Sequence, residues 1–66
     1  MINIGENIVI ARKRLKLTQA ILAEMMHVSY QAVSSWERNE NIPDTYNLIE
    51  LARILNVSLD WLVYNK

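Results

Sequence analysis

The 66-residue sequence contains no cysteine, one histidine, one glycine and one proline. Without cysteine the chain forms no disulfide framework and no thiolate metal site. One histidine among scattered carboxylates does not supply the ligands of a zinc or di-metal site, so we expect no metal, no cofactor and no small-molecule ligand. No apolar run approaches the roughly 20 residues that span a bilayer, and we expect no signal peptide before the domain. These absences predict a cytoplasmic protein without membrane contact.

Net charge is also lacking, because seven basic residues balance seven acidic ones. The balance differs between the two parts of the chain. Residues 1–38 carry five basic and three acidic side chains, whereas residues 39–66 carry two basic and four acidic ones. This polarity suits a protein that faces a polyanion with one end only. A solvated surface of mixed sign explains the same distribution, and charge alone favours that simpler interpretation.

Hydrophobic residues make up 52% of the chain, enough for one compact helical core. A chain this short buries only ~60% of its unfolded surface, so we expect marginal stability. Apolar residues recur at helical spacing in five stretches, which predicts one all-α, five-helix domain over residues 1–66. The first helix is expected at Asn3–Leu15, with an apolar stripe formed by Ile4, Ile8, Ala11 and Leu15. The expected N-caps are Asn3, Thr18, Ser29, Asp44 and Ser58.

Two of these stretches meet across a very short break. Helical patterns are expected at about Thr18–Met26 and Ser29–Glu37, and only His27 and Val28 separate them. Two helices joined by a turn this short cannot lie antiparallel and must cross steeply. The segment at about residues 18–37 is therefore predicted to be a helix-turn-helix unit, whose second helix is free to enter a DNA major groove.

The same segment carries a resemblance to a known family. The ordered series Leu17-Thr18-Gln19, Leu22-Ala23-Glu24, Val28-Ser29, Val33-Ser34-Ser35-Trp36-Glu37-Arg38 and Pro43 resembles the lambda-repressor-like Cro/CI family, also called XRE-type. The resemblance extends from Ile4 to Leu62. It implies a sequence-specific transcriptional regulator, a Cro-like repressor that binds a palindromic operator in double-stranded DNA as a homodimer. The third helix would lie in the major groove.

The chain departs from the family pattern at the turns that follow the helices. The family very often has glycine there, whereas this sequence has Lys16, His27, Asn39 and Asn56. Asparagine, and to a lesser extent histidine, tolerates the left-handed conformation, while lysine does so poorly. Either these turns adopt another geometry or the protein accepts some strain.

Gln31 is the strongest candidate for reading a DNA base. As the second residue of the third helix, it is expected to point out of the helix N-terminus. A glutamine amide can donate to and accept from adenine in a bidentate pair. A glutamine that merely faces solvent is the common alternative, and the helix-turn-helix context favours the reading role.

The other candidates for DNA contact surround Gln31 in the sequence. The resemblance implies that Gln19 contacts a phosphate at the start of the second helix, although it can also serve as a capping accessory. Tyr30, Ser34 and Ser35 are expected to share the exposed face of the third helix, and a plain surface role is nearly as good an explanation for the serines. The family uses the next loop for phosphate contacts. The full set is Gln19, Ser29, Tyr30, Gln31, Ser34, Ser35, Arg38, Asn39 and Asn41.

Two further sets of residues have expected structural roles. The resemblance implies a partly buried ion pair between Arg12 and Glu37 that joins the first helix to the third. The C-terminal helix carries more apolar side chains than so short a helix can hide, which predicts a dimer interface. Its expected members are Leu59, Trp61, Leu62, Val63 and Tyr64.

Two other classes of function compete with that of a DNA-binding regulator. A protein-interaction module, such as an antitoxin that binds a partner protein, is favoured slightly by the zero net charge but disfavoured by glutamines at the reading positions. An enzyme is not expected, because the sequence offers no acid–base pair, no nucleophile with its base and no phosphate loop.

Overall fold

A computed structural model describes residues 2–66 as five α-helices. They are α1 (Ile4–Arg14), α2 (Gln19–Met26), α3 (Tyr30–Glu37), α4 (Thr45–Leu55) and α5 (Leu59–Tyr64). Residues 2–66 contain no strand, so the predicted all-α, five-helix architecture is confirmed. The predicted bounds of the first three helices differ from the observed ones by one residue at most. Within the described residues, no helix has both the length and the apolar character needed to cross a membrane.

The helices begin at the predicted capping residues. In each case the side-chain oxygen of the N-cap accepts a hydrogen bond from the backbone N–H three residues ahead, at 2.9 to 3.1 Å. This bond satisfies one of the N–H groups that a helix N-terminus leaves without a partner. Asn3 also donates from its Nδ2 to the Glu6 carboxylate at 2.8 Å, so these two residues bond each other reciprocally.

The first four helices end in one common geometry. The residue at the reversal is left-handed in every case, with φ of 58° or 59° at Lys16, His27, Asn39 and Asn56. The N–H of the following residue then donates to the carbonyl five residues earlier, at 3.0 or 3.1 Å. These are Schellman turns, which glycine forms most easily. The chain therefore keeps the usual turn geometry with non-glycine residues and accepts the backbone strain.

The residue after the reversal has the same role in three of these turns. Leu17, Val28 and Val57 follow α1, α2 and α4, and each packs against the core. In the turn after α3 this place is taken by Glu40, which is exposed. The third turn therefore differs from the others in having a carboxylate where they have an apolar side chain.

Each helix contributes one completely buried side chain to a single core. These side chains are Ile8, Leu22, Val33, Leu51 and Leu62, all with 0% exposure. Two expectations about apolar residues are wrong. Leu15 is 45% exposed, because α1 ends at Arg14 and the next residue turns away from the buried stripe. Leu62 has no exposed surface to offer a dimer interface, because α5 packs on α1 and α4 and buries it.

Gly5 allows the start of α1 to approach the end of α3. A Cβ atom at this position would lie 2.6 Å from the carbonyl oxygens of both Trp36 and Glu37, and 2.8 Å from Oδ1 of Asn39. The Gly5 N–H donates to that same Oδ1 at 3.1 Å. The positive end of one helix dipole thus meets the negative end of another, which is favourable. Spacing patterns in the sequence do not predict this contact.

Asn7 ties α5 to α1 from inside the fold. Its side chain is buried, and Nδ2 donates to the Leu62 carbonyl at 2.9 Å. A buried amide needs such a partner, since leaving it without one would cost roughly 1–3 kcal/mol. The bond satisfies a C-terminal carbonyl of α5 and closes the fifth helix onto the first.

Replacing Gly5 with alanine should destabilise the protein. At a solvent-exposed helical position, the same change would raise the free energy of unfolding by roughly 0.5–1 kcal/mol, because alanine is the better helix former. Here the methyl group meets backbone oxygens, so we expect a loss of about 1–3 kcal/mol, as in other overpacked sites. Urea unfolding of the Gly5→Ala variant measures the difference. A gain in stability would show that the two helices separate easily and that their close approach is unimportant.

Replacing His27 with glycine should leave the free energy of unfolding unchanged or raise it by up to about 1 kcal/mol. Glycine removes the strain of the left-handed conformation but adds entropy to the unfolded chain. Asn56→Gly is the matched control, because Asn56 has nearly the same φ and ψ and asparagine tolerates them better. Thermal melts should therefore show a smaller gain for Asn56→Gly. A clear drop in the melting temperature of His27→Gly would mean that the imidazole itself stabilises the turn.

Candidate nucleic-acid interface

The helix α3 packs on α1 and α2 through one side and leaves its N-terminal residues free. Val33 and Trp36 face the core, with 0% and 6% exposure. Tyr30 is 53% exposed, and Gln31 beside it is also exposed. A helix that packs on its neighbours through one side and exposes its N-terminal residues can enter a DNA groove without a rearrangement of the fold.

Ser34 does not lie on this exposed face, so that expectation is wrong. The residue is buried, with 8% exposure, and its hydroxyl accepts a hydrogen bond from Nη1 of Arg38. Arg38 follows four residues later, and its side chain folds back along the helix to reach the serine. The Ser34 hydroxyl is therefore engaged within the protein.

Three other candidate side chains are engaged within the protein. Ser35 is half-buried, and its hydroxyl accepts from Nδ2 of Asn41 at 2.7 Å. Asn39 is left-handed and bonds the start of α1, accepting from the Gly5 N–H and donating to Oδ1 of Asn3 at 3.2 Å. The Ser29 hydroxyl caps α3. Any contact of these groups with DNA has to share or replace these bonds.

Arg38 and Glu40 form an exposed ion pair beside the end of α3. Nε and Nη2 of the guanidinium each donate to one carboxylate oxygen at 3.0 Å. These hydrogen bonds, with the attraction of the positive charge, lower the pKa of the Glu40 carboxyl. The carboxyl is therefore ionised at neutral pH, and the positive charge of Arg38 is paired within the protein.

Glu37 brings three helices together. Its Oε2 accepts from Nε of Arg12 at 2.7 Å, and its Oε1 accepts from Nη2 of Arg12 at 3.1 Å. The two side chains are 11% and 5% exposed, so the ion pair lies almost entirely out of solvent. Arg12 also donates from Nη1 to the Leu17 carbonyl at 2.8 Å, so each of its three guanidinium nitrogens donates one hydrogen bond within the protein.

Gln19 joins the same carboxylate, which the sequence did not predict. Its Nε2 donates to Oε1 of Glu37 at 2.8 Å. One amide hydrogen is thereby used, while the second hydrogen and Oε1 stay available to a partner. The carboxylate at the end of α3 therefore orients the amide at the start of α2.

The C-terminal surface retains four of the five residues expected at a dimer interface. Leu59 and Tyr64 are 45% and 55% exposed, whereas Trp61 and Val63 are half-buried against the core. The guanidinium of Arg14 lies 5.1 Å from the centroid of the Trp61 ring, within cation–π range. The apolar surface left to a partner is therefore smaller than the sequence suggested.

Comparison with known proteins points to one family. The profile of the helix-turn-helix family matches residues 8–62. The chain is 46% identical over 59 residues to the repressor protein C2 of Salmonella phage P22. The aligned region covers 89% of this chain and 27% of that protein. It is 40% identical to the HTH-type transcriptional regulator DicA of Escherichia coli K12, over 96% of this chain and 47% of the regulator. The chain thus spans less than half the length of these relatives.

A solved structure is similar over nearly the entire chain. It is the crystal structure of the P22 c2 repressor in complex with a synthetic operator, with a TM-score of 0.90 and 43% sequence identity. The alignment covers 96% of both chains. The family match, the sequence identities and the shared five-helix architecture agree, and the chain belongs to the helix-turn-helix family, as its resemblance to the lambda-repressor-like Cro/CI proteins predicts.

Proposed function

We propose that this chain binds double-stranded DNA sequence-specifically and represses transcription. The observation that carries the proposal is the exposed N-terminal end of α3, on a fold that matches a repressor solved with its operator. The related proteins named above are a repressor and a transcriptional regulator, which supports the same function. A repressor of this kind needs no catalytic activity and acts in the cytoplasm, where it meets the DNA.

In the proposed complex, base reading and backbone positioning belong to different glutamines. Gln31 is exposed near the N-terminus of α3, where its amide can pair with a base edge. Tyr30 is beside it and can contact a thymine methyl group or a sugar. Gln19 is half-buried and already bonded to Glu37, which suits a group that holds one phosphate in a fixed position.

We also propose that the protein acts as a homodimer on a palindromic site. Two recognition helices reach one face of DNA only if they lie ~34 Å apart, one helical turn. Leu59 and Tyr64, with the open parts of Trp61 and Val63, offer the apolar surface for the contact. Leu62 is excluded from this surface by its burial.

Selection of DNA by the purified protein tests the proposed function directly. The chain is mixed with a pool of random duplexes in moderate salt, with an excess of nonspecific competitor, and the bound DNA is sequenced. We expect a short consensus with two-fold symmetry. A pool without enrichment would contradict sequence-specific binding, and a consensus without symmetry would contradict the dimer.

Gln31→Ala and Gln19→Ala should have different effects on DNA binding. Gln31→Ala should cost ~1–3 kcal/mol on the selected duplex and relax preference at one base pair per half-site, because a base contact is lost. On a scrambled duplex it should bind like wild type, since nonspecific affinity comes from phosphates. Gln19→Ala should weaken binding to both duplexes in similar proportion.

Titration of both variants against both duplexes decides between these roles. Neither side chain is charged, so the salt dependence of binding should barely change. Gln19→Ala serves as the control for a general loss of contact. Equal losses on the two duplexes for Gln31→Ala would mean that Gln31 does not read a base.

A further inference from the structure

Arg38 is the only lysine or arginine between Thr18 and Asn41. The helix-turn-helix unit and the loop that follows it therefore have one fixed positive charge with which to meet the DNA backbone. The side chain of this arginine is 54% exposed at the end of α3. What occupies its guanidinium therefore decides how strongly the unit attracts phosphate.

Internal acceptors occupy all three nitrogens of the Arg38 guanidinium. Nε and Nη2 donate to the two oxygens of Glu40, and Nη1 donates to Ser34. The carboxylate fills the same two-pronged donor edge that an arginine offers to a phosphate. Glu40 thus occupies one of the two edges through which the guanidinium can bind a DNA phosphate in this way.

The backbone holds Glu40 in this position. Its N–H donates to the Ser35 carbonyl at 3.0 Å, which completes the turn around the left-handed Asn39. In the other three turns of this geometry, the residue at this place packs against the core. Glu40 instead directs its side chain outward to Arg38, with 59% exposure, so nothing in the packing of the core requires a carboxylate here.

We propose that Glu40 limits the affinity of the protein for DNA, because its carboxylate competes with DNA phosphates for Arg38. This inference rests on the proposed DNA-binding function. On a random sequence, phosphate attraction is the main source of affinity, and the internal pair weakens it. While the pair stays closed, the complex lacks one phosphate contact, on a cognate site as on a random one. Because the pair is exposed, solvent screens it, and we expect the loss of affinity to be modest.

The test compares E40Q with E50Q, which removes the same charge elsewhere. Glu50 pairs with Arg53 on α4 at 2.7 Å, in a partly exposed ion pair that also joins one glutamate to one arginine. Affinity is measured for the selected duplex and for a scrambled duplex at several salt concentrations. Circular dichroism checks that each variant folds like wild type.

E40Q should bind both duplexes more tightly than wild type does, because Arg38 can then bind a phosphate without losing an internal partner. Freeing one arginine adds about one phosphate contact, so the slope of log affinity against log salt should steepen by about 0.9. The advantage of E40Q on scrambled DNA should therefore be roughly threefold larger at 50 mM than at 200 mM salt. E50Q should show neither change.

A second comparison shows whether Arg38 carries the effect. In an R38Q background, adding E40Q should change the affinity for scrambled DNA much less than it does in the wild-type background. An equal effect in both backgrounds would overturn the inference, because Glu40 would then act by its charge alone. Equal gains for E40Q and E50Q would also overturn it, while leaving DNA binding intact. If the wild-type chain enriches no DNA and binds neither duplex, the proposed function fails and the inference fails with it.

Discussion

The carboxylate of Glu37 is the group on which the position of the recognition helix depends. It lies at the end of α3 and accepts hydrogen bonds from Arg12 of α1 and Gln19 of α2. A charge that is 5% exposed is stable only with such partners, so the three helices can meet in few other ways. The same carboxylate orients the amide proposed to hold a phosphate. One interaction therefore fixes the fold and aligns the proposed site.

A second constraint acts at the same end of α3, and it is a steric one. Gly5 lets α1 touch the last carbonyls of α3, and Asn39 bonds the Gly5 N–H from the turn that follows. The helix is thus held at its C-terminal end by a buried ion pair and a close backbone contact. Its N-terminal end, with Tyr30 and Gln31, is left open. A recognition helix fixed in this way meets DNA with its reading residues already in place, which lowers the entropy cost of binding.

Local chemistry made much of this structure predictable from the sequence. Capping side chains act within four residues of the helix they begin, so the starts of all five helices could be identified. The side chains that lie elsewhere than predicted depend on how the helices pack and on how side chains fold over one another. Spacing alone places Leu62 at the surface because it does not show how α5 packs, and it places Ser34 on the exposed face because a helical pattern does not show the contact with Arg38. The unusual position of Glu40 could have been noticed in the sequence, because the three equivalent turns have an apolar residue at this place.

The most direct test of this account compares the unfolding of two variants in urea. Glu37→Leu leaves the Arg12 guanidinium buried without its carboxylate and should lose about 3–5 kcal/mol, enough to unfold so small a protein. The double variant Arg12→Met/Glu37→Leu removes both charges and should recover most of that loss, because two apolar side chains can pack in the vacated space. This pattern would show that the carboxylate is required because of the charge it neutralises. A Glu37→Leu variant as stable as wild type would contradict the central role of Glu37.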